Sequence, residues 1–162
     1  MIDPNLDPRL AATLDQLSPH FTLLADPWWL FGSAAMALHG ARPLAIGDVD
    51  LLISRSDAPR LLGRLGLALA PGSQSDRFRS DVFACWRTAP LPVEILAGFH
   101  VRTGNTWDEI RPATRLPVRL ASGTVYVPDV PELIWLCRRF GRAKDLERIR
   151  LLEALAAGRG PA

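Results

Sequence analysis

The stretch FGSAAMALHGARPLAIGDVDLLIS, residues 31 to 54, decides how the chain is read. It begins at the end of an apolar run, PWWLF over 27 to 31, bounded by Asp26-Pro27 on one side and Gly32 on the other. Such a run reads as a buried strand. Ser33 is a natural N-cap for a short helix over 33 to 39, rich in alanine, and Gly40 is a natural stop. A loop over 41 to 47 leads into a second strand, 48 to 54, with Asp48 and Asp50 at its mouth. Alternate residues of a strand share a face, so the two carboxylates project side by side. Like charges that close repel, and burying them unpaired is costly. A cation between them removes the conflict, and grouped carboxylate oxygens are the ligands Mg²⁺ prefers. Gly32-Ser33 at a helix start adds free backbone N–H groups and a partial positive charge, a cradle for phosphate.

Working outward, the 162 residues fit one domain with a sizeable core, and 48% hydrophobic against 22% charged is ordinary for a globular protein. A net charge of only +2 argues against a strongly basic nucleic-acid binder, although residues 138 to 150 concentrate six basic side chains against two acidic ones. Cys85 and Cys137 have neither metal-like spacing nor a disulfide framework and read as buried free thiols, which suits a reducing cytoplasm. The N-terminal MIDPNLDPRL lacks the basic and apolar regions of a signal peptide, and no run approaches a membrane span. The expectation is a cytoplasmic protein with no membrane partner.

Upstream, a helix over 8 to 18 carries Leu10, Leu14 and Leu17 and ends at Ser18-Pro19. Downstream, Asp57 is a cap for a helix over 58 to 65, and 66 to 70 reads as a further strand. Residues 81 to 87 and 91 to 98 form a hairpin around 88 to 90, and 117 to 120 with 124 to 127 form a second around Ser122-Gly123. Residues 99 to 116 carry no readable pattern. A helix opened by Asp129 or Pro131 spaces Leu133, Leu136, Cys137 and Phe140 on one face, and Gly141 breaks it. A last helix over 143 to 157 is expected to bury Leu146, Ile149 and Leu152. His39 reads as structural, and Trp28 and Trp29 as core. Arg42, just ahead of the aspartates, reads equally as a phosphate contact or a solvated loop charge.

A strand, Gly-Ser, a helix, a loop and then Asp-x-Asp on the next strand resemble the polymerase-beta-type nucleotidyltransferase superfamily. The likeness is strongest to small bacterial AbiEii-like toxins and antibiotic nucleotidyltransferases. The motif parts fall on Gly32, Ser33, Asp48 and Asp50. The turn Arg142-Ala143-Lys144-Asp145 before the final helix is also similar, so the likeness covers most of the chain. The lysine usual in the penultimate helix is replaced by Cys137 and Arg138. The resemblance implies an α+β fold, a mixed sheet flanked by helices, with a core over about 20 to 128 and helices over about 129 to 157. It implies a third carboxylate on a later strand: Glu94, lone in PVEIL, with Asp81 in reserve. It also implies Mg²⁺ or Mn²⁺ on Asp48, Asp50 and Glu94, and transfer of a nucleoside monophosphate from an NTP, ATP in the first instance. Gly32, Ser33, Arg42 and Lys144 would hold phosphates. The acceptor, whether small molecule, RNA or protein, is left open. The other implied reading is a non-catalytic nucleotide- or RNA-binding module, or a toxin–antitoxin component with a cognate antitoxin, using the basic stripe of 138 to 150.

Overall fold

The computed structural model describes residues 3–72 and 74–158. Asp7 starts helix α1 (Pro8–Leu17): its carboxylate accepts the Arg9 N–H at 2.8 Å, and Pro8 takes a position where no backbone donor is needed. Leu10, Leu14 and Leu17 recur at helical spacing and are fully buried. Thr13 is buried with them. Its hydroxyl donates to the Arg9 carbonyl at 2.7 Å and accepts the Leu91 N–H at 2.9 Å, which ties α1 to the sheet. A 3-10 turn (Ser18–Leu23) then leads to β1 (Trp29–Phe31), α2 (Gly32–Leu38), β2 (Val49–Ile53) and α3 (Ala58–Arg64).

The central sheet has the order β1-β2-β5-β4, with β4 (Val82–Trp86) and β5 (Val93–Ala97) forming the expected hairpin. The β2–β5 pair is parallel, and its neighbours on either side are antiparallel. Val49, Leu51 and Ile53 of β2 and Val93, Ile95 and Ala97 of β5 turn one face into the core. The second residue of each strand, Asp50 and Glu94, is only half-buried and turns to the other face.

That other face is overhung by a second sheet. It consists of β3 (Phe78–Arg79), β6 (His100–Thr103) and β7 (Thr106–Glu109), in the order β3-β6-β7. A separate hairpin, β8 (Leu116–Leu120) with β9 (Gly123–Val127), packs beside β1. Helix α4 (Val130–Phe140) is capped by Asp129, which accepts the Glu132 N–H at 2.9 Å, and ends at Gly141 in the left-handed conformation (φ 65°). Helix α5 (Ala143–Ala156) packs against α4. One continuous apolar cluster runs from Leu6 to Leu152, so the C-terminal helices share the core of the sheet. Among the described residues no helix is long and apolar enough to cross a membrane.

The α+β class and most elements match the sequence expectations, with four local differences. Residues 66 to 70 form no strand: β1 and β5 already flank β2, and Leu69 stands 57% exposed. Ser33 is not the cap of α2, because the helix starts one residue earlier and Phe31 occupies the cap position. Asp57 precedes α3 but spends its carboxylate on the Ala25 and Asp26 N–H groups (3.0 and 2.9 Å). Leu146 is 58% exposed, because α5 turns Asp145, Ile149 and Leu152 inward.

Thr13→Val keeps the volume but removes the partner of the buried Leu91 N–H. The expected cost is about 1–3 kcal/mol in urea unfolding, with an unchanged denaturant slope.

Candidate metal and nucleotide site

The parallel register sets Asp50 directly beside Glu94, and Asp48 stands just ahead of β2. One carboxylate oxygen from each of Asp48, Asp50 and Glu94 lies within 4.8 Å of the other two. Asp81, the reserve candidate, is elsewhere. It pairs with Arg55, and its N–H reaches the Ala97 carbonyl at the far end of β5, roughly 10 Å along the strand from Glu94. Geometry therefore brings Glu94, and not Asp81, to the aspartate pair.

The three acids strain one another. Burial first, then the charges of Asp48 and Glu94, push the Asp50 carboxyl well above its ordinary value of 3.8, and Arg148 pulls against that rise. A donor set of three half-buried carboxylates, with ionisation of Asp50 disfavoured, fits a divalent cation with oxygen ligands.

Gly32 lies against the cluster. Its φ is +63°, and a Cβ there would come 2.7 Å from Asp50 Oδ2, so glycine is needed both for the backbone conformation and for the close approach. A cavity of about 340 Å³ opens over the acids. Gly32, Asp48, Asp50 and Glu94 line it, together with Arg142, Lys144 and Arg148 from the start of α5 and its second turn. Phe78, Phe83, Phe99 and Phe140 add an aromatic wall. Arg142 is held against that wall, its guanidinium carbon 5.1 Å from the Phe78 ring centre and 5.6 Å from that of Phe140.

Two of the sequence-expected residues do not join. Ser33 is 3% exposed and does not line the cavity. Arg42 pairs with Asp3 and lines a different cavity with Asn5, Pro43 and Ile46. His39 is structural, its Nε2 lying 2.7 Å from the Pro128 carbonyl.

Other residues were missed. Arg79 lines the cavity from β3, stacked 4.9 Å over Trp107, with a buried Nε that has no hydrogen-bond partner. Ser80, beside it, is buried and lines the same space. Nothing local could have found them, since β3 is two residues long and follows a turn-rich stretch.

No family model matches the chain, and no curated protein matches it at a significant level. Several solved structures do match. A provisionally assigned nucleotidyltransferase from Thermotoga maritima is 19% identical, with 93% of each chain covered and a TM-score of 0.66. The lincosamide antibiotic adenylyltransferase LnuA, in its lincomycin-bound form, is 9% identical, covering 93% of this chain and 99% of that one, at 0.57. An antigenic nucleotidyltransferase-like protein from Paracoccidioides brasiliensis is 16% identical, covering 92% and 76%, at 0.58. The fold is that of the nucleotidyltransferases.

Because Asp50 holds its proton more tightly folded than unfolded, the metal-free protein loses stability as pH rises above about 3.8, until Asp50 is ionised in the fold as well. Asp50→Asn removes that dependence. Without divalent metal at neutral pH it should raise Tm by roughly 2–4 °C per kcal/mol of relieved repulsion, read by thermal melts across pH.

Proposed function

We propose that the chain is a metal-dependent nucleotidyltransferase, moving a nucleoside monophosphate from an NTP to an acceptor hydroxyl. The observation that carries this reading is the convergence of Asp48, Asp50 and Glu94 within 4.8 Å in a cavity also lined by Arg142, Lys144 and Arg148. Carboxylates alone would suit many cations. Carboxylates that share a cavity with three cationic side chains suit a cation that arrives with a polyphosphate.

In this reading Asp48, Asp50 and Glu94 hold Mg²⁺ or Mn²⁺. The ion supplies charge neutralisation at the phosphates and acidifies an acceptor hydroxyl. Gly32 leaves room for a phosphate oxygen beside Asp50, where any side chain would intrude. Lys144 is exposed and makes no ion pair among the described residues, so its ammonium is free to meet the triphosphate. The acceptor oxygen bonds to the α-phosphorus while the bond to the β-phosphate oxygen breaks. Pyrophosphate leaves with that electron pair, and Glu94 is placed to take the acceptor's proton. Arg142, Arg148 and Lys144 balance the charge on the departing pyrophosphate. The adenylyl transfer named for LnuA supports ATP as the donor and a small molecule as the acceptor.

The basic stripe favours the binding-module reading less. Arg138 is paired with Glu153, Arg139 with Asp108, and both Arg142 and Arg148 with Asp145. Arg138 and Arg139 are thus neutralised by acids, and Arg142, Lys144 and Arg148 line the cavity over the carboxylates, which leaves little of the stripe for an RNA backbone.

ATP with Mg²⁺ or Mn²⁺ should raise the melting temperature, corresponding to about 2.7 kcal/mol at a hundredfold excess over Kd. Asp48→Asn should abolish the gain. No shift in the wild-type protein, or an equal shift in the variant, contradicts the reading.

A further inference from the structure

The first turn of α5 is built against helix preference. Arg142 at its cap position and Lys144 within it place positive charge at the positive end of the helix dipole, and Arg148 follows one turn on. The acid that offsets them is Asp145, which is 0% exposed. Its Oδ2 accepts the Arg142 Nε–H at 2.6 Å and the Arg142 backbone N–H at 3.1 Å. Its Oδ1 accepts an Arg142 Nη2–H at 3.1 Å and lies 3.6 Å from Arg148 Nη1. A helix cap alone does not require this. The backbone contact needs only an oxygen acceptor, which an uncharged amide supplies, whereas a fully buried carboxylate is costly unless cations surround it. Both guanidinium groups it holds line the cavity over Asp48, Asp50 and Glu94.

We propose that Asp145 is a positioning residue for polyphosphate: buried behind the two arginines and outside the cavity lining, it aims Arg142 and Arg148 at the phosphates of the metal-bound nucleotide. It does not touch the substrate and acts through the two arginines. Arg142 is fixed on its other side by the Phe78 and Phe140 rings, so the pair is oriented before ligand arrives. Preorganised cations lose little freedom on binding, and a loosened pair loses affinity for the triphosphate alone. The inference rests on the nucleotidyltransferase reading of the same site.

The test uses Mn²⁺ alone, Mg²⁺ with inorganic tripolyphosphate, and Mg²⁺ with ATP, titrated calorimetrically into wild type, Asp145→Asn, Arg148→Gln and the double variant. Asparagine keeps an acceptor for the cap. Asp145→Asn should weaken tripolyphosphate and ATP alike by about tenfold, with Mn²⁺ affinity held within about twofold. Arg148→Gln, which leaves the cap intact, should weaken both several-fold, and its effect should shrink in the Asp145→Asn background. Unchanged polyphosphate affinity in Asp145→Asn overturns the inference and leaves the site reading standing, as do fully additive losses or an equal loss of Mn²⁺. A wild-type protein that binds neither polyphosphate overturns both. If Asp145→Asn does not fold, Asp145→Glu replaces it: the longer side chain keeps the charge but shifts both guanidinium groups, and an undiminished polyphosphate affinity there counts against the inference.

Discussion

Mutual repulsion among three carboxylates is the constraint around which this molecule is arranged. Two of them sit at the same level on adjacent parallel strands, and the third stands two residues ahead of the first. Sheets ordinarily avoid like charges directly across from each other. Here the register cannot slip to relieve them. A shift of one residue would turn Val49, Leu51 and Ile53 out of the core and the acids into it. The apolar side of the sheet thus enforces a destabilising arrangement on the polar side. A conflict held in place by the rest of the fold is a common sign of a functional site.

The surroundings respond to that conflict in two ways. Space is left open beside Asp50, where Gly32 adopts a backbone conformation that other residues rarely take. Positive charge is brought into the same cavity, from a helix end where it is unfavourable for the helix itself. Each group of charges is poorly placed by itself, and the two together line one cavity. In the proposed function a metal ion would meet the acids and phosphates the cations. The Phe78 and Phe140 rings lie against Arg142 and hold its guanidinium in place.

Features with a strong local cause were legible in the sequence. The Asp-x-Asp pair ahead of an apolar run, the lone Glu94 in a strand and the Asp129-capped helix all stand in the structure where their patterns place them. Features that depend on distant partners were not. Residues 99 to 116 form β6 and β7, yet of those two strands only Val101 is buried, so there was little alternation to read. The strands exist because β3 supplies a neighbour from a stretch that reads as turns. Leu146 was assigned inward because it is apolar. The inward position belongs to Asp145, and only the two arginines around it, seen in three dimensions, make that tolerable. Ser33 and Arg42 looked like phosphate contacts from proximity along the chain, but one is buried and the other is drawn away by Asp3.

The central claim is that Asp48, Asp50 and Glu94 are ligands of one divalent metal centre. Crystals soaked in Mn²⁺ with a non-hydrolysable ATP analogue test it most directly, through the anomalous scattering of manganese. The account predicts a peak within bonding distance of oxygens from all three carboxylates, with the analogue's phosphates reaching toward Arg142, Lys144 and Arg148. Manganese found elsewhere, or held by the aspartates while Glu94 turns away, would contradict it.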